Sequence, residues 1–271
     1  RDGEEHVLTG TERMKHRPIH VLVDALRRLG ADIEYVGEEG YPPLRIRGRK
    51  LEGGLLEVPG NISSQFVSAL LMIGPVLDRG LELRLKGSLI SRPYIELTLW
   101  MMREYGARAD WSDFETNKVE KKPYAARPYF IESDWSAASY WYEMMALSGR
   151  DDDTVRLEGL ADGSKQGDSC VRYLFSLLGV KTTFEPTDDP TRTAVTLSHT
   201  GHIVSRLEYD FTGSPDLAQT FIVCCAVMGI PFHFRGLSTL KIKETDRIAA
   251  MKAEMRKLGY VLHDANDSEM R

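Results

Sequence analysis

The chain has 271 residues, 42% hydrophobic and 28% charged, with a formal net charge of −5; it is ordinary for a globular protein and long enough for two domains or one large one. The acidic balance excludes a general attraction to nucleic acid or anionic membranes, so an anionic ligand must be drawn by a local basic cluster. Cys170, Cys224 and Cys225 are odd in number and lack ligand-like spacing, which argues against a disulfide framework or a zinc site and for a reducing, cytoplasmic compartment.

Apolar runs such as "FVSALLMIGPVL" at 66–77 are too short to cross a bilayer, and no signal-like segment opens the chain. The first residues lack a methionine and the last follow a strand-like stretch. Both ends read as cut from something longer.

The first predicted element is an amphipathic helix in "PIHVLVDALRRLG", with Leu22, Ala25, Leu26 and Leu29 on one face. Pro18 takes the expected first helical position, Gly30 the left-handed C-terminal cap, and β-prone "ADIEYV" follows. After the strand-like runs "LRIRG" and "LLEVPG" comes a second kind of helix, "SSQFVSALLMIGPVL". It is apolar nearly all the way round, as in a helix buried on most sides. The run "LELRLKG" leads to "PYIELTLWMMREYGARADW", which repeats the first helix type and ends at Gly106.

Residues 112–129 are polar and aperiodic, and strand-like "YFIES" follows. A boundary here gives domains 1–131 and 132–271. The second half continues with buried helix "WSAASYWYEMMALSG", run "TVRLEGL" and amphipathic "DSCVRYLFSLLGVKTTF", with Val171, Leu174, Phe175 and Leu178 on one face and Gly179 as cap. Run "AVTLS", buried helix "PDLAQTFIVCCAVMGI", run "FHFRGL" and amphipathic "RIAAMKAEMRKLGYVLH", capped by Gly259, complete it.

The four capping glycines lie 76, 73 and 80 residues apart, and Ser63, Trp135 and Asp216 at the buried helices 72 and 81 apart. Two helix types in step define a repeat of roughly 75 residues, a duplicated subdomain rather than a solenoid unit. Each repeat reads β-α-β-α-β-β, and the fold class is mixed α/β.

The chemistry-bearing residues stand at helix starts, where free backbone N–H groups suit anions. Arg17, and in parallel Arg92, is either a bidentate partner for a carboxylate or phosphate or a solvated surface arginine. Ser63, Ser64 and Gln65 either cap a helix or hold a phosphate or polyol. Ser91 and Tyr94 read as a cap and a half-buried ring, or as ligand contacts. Asp216 either offsets the dipole of the most apolar helix or serves as general base. Asp134, Ser136, Gln166 and Asp168 read mainly as caps or interdomain contacts, with ligand contact as the alternative. Five ionisable residues, Lys241, Lys243, Glu244, Asp246 and Arg247, crowd one helix entry, as a solvated start or as a site that holds an anion and moves a proton.

Together "LTGTERMKHRPIHVLVDALRRLGA", "NISSQFVSALLMIGPV", "LISRPYIELTL" and "LKIKETDRIAAMKAEMRKLG" resemble the 5-enolpyruvylshikimate-3-phosphate synthases. The resemblance runs along nearly the whole chain and is weakest over 112–130 and 183–207. It implies a two-domain enolpyruvyltransferase fold of βαβαββ units, about two of each domain's three being present. It implies transfer of the enolpyruvyl group of phosphoenolpyruvate to the 5-hydroxyl of shikimate 3-phosphate with release of phosphate, on the shikimate pathway to aromatic amino acids, by an enzyme that glyphosate inhibits. No metal or organic cofactor, no nucleic acid and no membrane is expected, and the full-length enzyme is expected to be a monomer.

By position, the resemblance gives Ser63, Ser64, Gln65, Ser91, Tyr94, Asp216, Thr239 and Lys243 to shikimate 3-phosphate, and Arg17, Gln65 and Arg247 to phosphoenolpyruvate. Catalysis falls to Asp216 as base on the 5-hydroxyl, Lys243 beside it, and Glu244 at the methylene proton. Lys243, Glu244 and Arg247 are expected to reach one ligand from a strand end and a helix start, with Lys241 and Asp246 solvating or bracing that turn. Thr239 replaces an asparagine common in the family, and family substrate-binding segments before and after this stretch are missing, so the chain alone is expected to be inactive. Two other readings stay open: an enolpyruvyltransferase acting on UDP-N-acetylglucosamine, which uses a cysteine, and a non-catalytic anion-binding module.

Overall fold

The computed structural model describes residues 3–189, 192–243, 245–266 and 268–271. They form two compact units, Arg1–Arg127 and Pro128–Arg271.

In the first unit the elements run β1 (Glu5–Leu8), α1 (Glu12–Lys15), α2 (His20–Arg28), β2 (Asp32–Tyr35), β3 (Leu44–Arg47), β4 (Gly54–Pro59), α3 (Ser64–Ile73), β5 (Leu81–Lys86), α4 (Arg92–Glu104), β6 (Ala109–Trp111) and β7 (Thr116–Val119). β1, β3 and β2 form an antiparallel sheet in that order, and β4-β5-β7-β6 a second sheet in which only β4 and β5 are parallel. The segment from β4 to β7 is thus one complete βαβαββ repeat. Because β4 and β5 are parallel, the helices that follow them start at the same end of the sheet. Leu83 and Leu85 of β5, Leu70 and Leu71 of α3, and Ile95 and Leu99 of α4 are at most 1% exposed and form the core.

The second unit runs α5 (Trp135–Leu147), β8 (Thr154–Glu158), α6 (Val171–Ser176), β9 (Leu178–Pro186), β10 (Thr193–Ile203), β11 (Leu207–Asp210), α7 (Ala218–Met228), β12 (Phe232–Arg235), α8 (Arg247–Lys257), β13 (Asp264–Asn266) and β14 (Glu269–Met270). Its sheets are ordered β8-β10-β9 and β11-β12-β14-β13, with β11 and β12 parallel. Strand order and direction reproduce those of the first unit, as the repeat in the sequence predicts. Rings chain through the core, from Tyr142 to Phe175 at 5.5 Å, on to Phe221 at 4.5 Å, Phe211 at 5.7 Å and Phe234 at 5.1 Å between centroids.

Four helices end alike. Ala31, Ala107, Ile230 and Tyr260 donate their amides to the carbonyls of Leu26, Met102, Cys225 and Met255, each across a glycine of positive φ, Gly30, Gly106, Gly229 or Gly259. This is the closure that a left-handed glycine permits. Gly179 also has a positive φ of 85°, but it lies inside β9 and not at a helix cap. α6 stops at Ser176, and Leu178 pairs with Ile203 on the long strand β10.

Three further expectations are corrected. Pro18 does not open α2: Ile19 donates its amide to the carbonyl of Gly40 at 2.9 Å, and the helix begins at His20. "YFIES" forms no strand in the described residues. It is pinned instead by Glu132, whose carboxylate accepts from the Trp135 indole at 2.7 Å and the Ala161 amide at 2.9 Å. Lys243 follows a 3-10 turn, Ser238–Ile242, rather than a strand end. Among the described residues no helix is long and apolar enough to cross a membrane.

Candidate active site

In the first unit the site residues gather where α3 and α4 begin. The two entry loops lie side by side: Gly60 donates to the carbonyl of Lys86 at 2.7 Å and accepts from the amide of Ile90 at 3.3 Å. A β-carbon on Gly60 would lie 3.0 Å from the carbonyl oxygen of Ser88, so this close approach favours glycine. Ser63 caps α3 by accepting from the amide of Gln65 at 3.3 Å. Ser64, the next residue, is half-buried, and its hydroxyl has no partner among the described residues. Arg17 donates through Nη2 to Gln65 Oε1 at 3.1 Å, which joins "KHRPI" to the start of α3.

Ser91 precedes α4 with φ 55° and ψ 38°, the only non-glycine residue of positive φ among those described. It is 8% exposed and its side chain does not cap the helix. A left-handed serine is held against a steric cost of about 1–2 kcal/mol, a kind of strain that concentrates at functional sites. Tyr94 is half-buried one turn further on. Arg92 is drawn away from the helix mouth: its guanidinium lies 4.3 Å from the Trp111 ring centroid, and its Nε donates to Glu96 at 3.3 Å.

The second unit has the equivalent arrangement at the ends of β11 and β12. Gly236, with φ +77°, has no room for a β-carbon, which would fall 2.3 Å from the Thr212 nitrogen. Asp216 sits in a 3-10 turn, Pro215–Leu217, before α7 and makes no helix cap. Its carboxylate is held by Arg247 Nη1 at 2.8 Å and Lys243 Nζ at 3.2 Å, with side chains 30%, 25% and 24% exposed respectively. Arg247 is the first residue of α8, whose start Asp246 caps by accepting from the amide of Ala249 at 3.0 Å. Thr239 Oγ1 is buried and without a partner among the described residues. Glu244, the expected partner of the methylene proton, lies outside the described residues.

The residues read as caps are caps or braces. Asp134 accepts from the amides of Ser136 and Ala137 at the start of α5, the Gln166 carboxamide meets the Trp135 amide and the Ser133 carbonyl, and the Ser136 hydroxyl donates to Asp168. Cys224 and Cys225 are fully buried, which pushes their thiols up, Cys225 to about 12. The largely surface-facing cavity of about 470 Å³ at the edge strand β6, lined by Arg103, Arg108, Trp111 and Lys118 among others, contains none of the sequence-predicted residues. What the sequence reading missed is the pair Gly60 and Gly236; the signal was a glycine directly after each first or second parallel strand, in "VPGN" and "FRGL".

Residues 1–269 match the family described as EPSP synthase (3-phosphoshikimate 1-carboxyvinyltransferase). A 3-phosphoshikimate 1-carboxyvinyltransferase of Bacteroides fragilis is 56% identical over 263 residues, which is 97% of this chain and 62% of that protein. One from Actinobacillus pleuropneumoniae is 36% identical over 97% of this chain and 59% of its own length. The chain therefore spans about three fifths of these curated relatives. Among solved structures, the fold is shared with EPSP synthase from Acinetobacter baumannii, at a TM-score of 0.69 and 20% identity over 98% of this chain and 59% of that one. It is shared also with an enolpyruvyl transferase from Streptomyces tendae, at 0.57 and 14% over 85% and 52%. The chain belongs to the EPSP synthase (3-phosphoshikimate 1-carboxyvinyltransferase) family.

Proposed function

We propose that this chain supplies substrate-binding and catalytic groups for transfer of the enolpyruvyl group of phosphoenolpyruvate to the 5-hydroxyl of shikimate 3-phosphate, in the cytoplasm, the full-length enzyme being a monomer. The observation that carries the reading is the Asp216 carboxylate held between Lys243 and Arg247 at a helix entry. In the first unit, the unpartnered hydroxyls of Ser64 and Ser91 suit the oxygens of a phosphate.

In this reading the first domain, 1–131, holds shikimate 3-phosphate through Ser63, Ser64, Gln65, Ser91 and Tyr94. Arg17 and Arg247 take the phosphate and carboxylate charges of phosphoenolpyruvate. In the second domain, 132–271, Asp216 accepts the proton of the 5-hydroxyl as its oxygen bonds to the enol carbon, and Glu244 delivers a proton to the methylene carbon. Loss of phosphate and of one methyl proton then restores the double bond. Lys243 orients the Asp216 carboxylate, whose charge is neutralised as it takes the proton, and steadies negative charge on the attacking oxygen, and Thr239 offers its free hydroxyl to the ring. No step uses a metal or an organic cofactor. The buried, weakly acidic thiols of Cys224 and Cys225 count against the cysteine-dependent transfer to UDP-N-acetylglucosamine.

Titration calorimetry of the chain tests this. Shikimate 3-phosphate is expected to bind, shikimate to bind more weakly, and UDP-N-acetylglucosamine not to bind. Ser64→Ala and Ser91→Ala should each weaken shikimate 3-phosphate about tenfold, one hydrogen bond to a charged group. Binding of the nucleotide sugar in its place would overturn the assignment.

A further inference from the structure

We infer that Ser68 and Thr98 are positioning residues: their hydroxyl bridge fixes the offset between α3 and α4, and so between the helix starts carrying Ser64, Gln65, Ser91 and Tyr94. The geometry stands alone, while its consequence for ligand binding rests on the function proposed above.

Ser68 Oγ lies 2.7 Å from Thr98 Oγ1, and Thr98 Oγ1 donates to the carbonyl of Tyr94 at 2.9 Å. A hydroxyl has one proton to give. Thr98 uses its proton on Tyr94, so Ser68 donates to Thr98 and the bridge has a fixed direction. Ser68 stands four residues after Ser64 and Thr98 four after Tyr94, each on the same helix face as the group it supports and one turn below it. One relay thus ties Ser64's helix to the backbone of Tyr94.

The surrounding interface is apolar, with Val67, Leu70 and Leu71 of α3 and Ile95 and Leu99 of α4 buried in one core. Such contacts are strong in sum but non-directional, and they hold two helices together better than they set their axial offset. A slide of one residue moves a helix about 1.5 Å, enough to lengthen a phosphate contact at Ser64 or Ser91 beyond hydrogen-bonding distance. A serine in a helix interior brings no propensity gain of its own. The bridge gives Ser68 its use.

The second unit has a comparable hydroxyl pair, between α5 and α7. The Ser139 hydroxyl donates to the carbonyl of Ser136 at 2.6 Å and so accepts from Thr220, 3.0 Å away. Ser139 and Thr220 are 1% and 2% exposed. Ser68 and Ser139 are each the fifth residue of their helix, and Thr220 stands four residues after Asp216. In both units a hydroxyl pair joins two helices, and in the second it lies one turn below Asp216.

Amide hydrogen exchange on the 271-residue chain, with Ser68→Ala, Thr98→Ala, the double variant and the hydroxyl-keeping Thr98→Ser, decides the matter. Ser68→Ala is expected to speed exchange several-fold in the first turn of α4, the helix it does not belong to. Thr98→Ala should do the same in α3, and the double variant should go no further than either single one. Shikimate 3-phosphate affinity should fall about tenfold in each alanine variant, the loss expected for one misplaced charged hydrogen bond, and return in Thr98→Ser. Exchange that changes only within the substituted helix, or additive effects in the double variant, overturns the inference, even if the melting temperature drops. A wild-type chain that binds no shikimate 3-phosphate counts against the proposed function, and the cross-helix exchange then decides the positioning role by itself.

Discussion

Glu143 makes the second unit less stable at neutral pH than at acid pH. It lies on α5, half-buried, with no hydrogen bond or ion pair among the described residues, and burial pushes its carboxyl from 4.5 up to about 7. Its charge in turn raises the thiol of Cys224 on α7. Between pH about 4.5 and 7 the unfolded chain has released a proton that the folded one keeps, so stability falls as pH rises through that window and stays low above it. At 1.36 kcal/mol per pKa unit the full shift amounts to about 3 kcal/mol. The carboxylate still reaches solvent, which reduces this to about 1–2 kcal/mol.

Glu143→Gln removes the ionisation and keeps the shape. Thermal unfolding followed by circular dichroism at pH 4 and pH 8 should show no difference from wild type at pH 4. At pH 8 the variant should melt about 3–6 °C higher. Equal melting temperatures at both values, or a variant less stable at pH 8, would refute the reasoning and mean that Glu143 is well solvated or paired.

Three other outcomes follow from the same geometry. Asp216→Asn removes the carboxylate that Lys243 and Arg247 share and should cost about 1–2 kcal/mol in urea unfolding, between the values for exposed and for buried pairs; Lys243→Met in the Asn background should then cost little more. Ser91→Gly should stabilise the first unit by about 1 kcal/mol, since glycine is at ease at φ 55°, while weakening shikimate 3-phosphate in calorimetry. Phe221→Ala, fully buried at the centre of the ring chain, should cost about 3–5 kcal/mol by chemical denaturation.

Local pattern carried most of the fold. Helices apolar on every side, such as α3, α5 and α7, need no partner's identity to be recognised as buried, and a glycine after an amphipathic run needs only its own φ. The repeat followed from these two signals. What escaped depends on distant groups: Ile19 leaves its helix because Gly40 takes its amide, and α6 is cut short because Leu178 and Gly179 are recruited by β10. At the site, sequence named polar residues at helix starts but could not tell the capping Ser63 from the unpartnered Ser64, which differ by one residue and by a single hydrogen bond. Nor could it show that Asp216 engages cations instead of a helix end. Arg17 and Arg92 sit in similar words, "HRPI" and "SRPY", and Trp111 alone decides that the second stacks on a ring.

The most direct test is a crystal structure of the chain soaked with shikimate 3-phosphate. The account predicts the phosphate within hydrogen-bonding distance of the Ser64 and Ser91 hydroxyls. A phosphate bound instead at another basic surface, such as Arg103 and Arg108 beside β6, would contradict it.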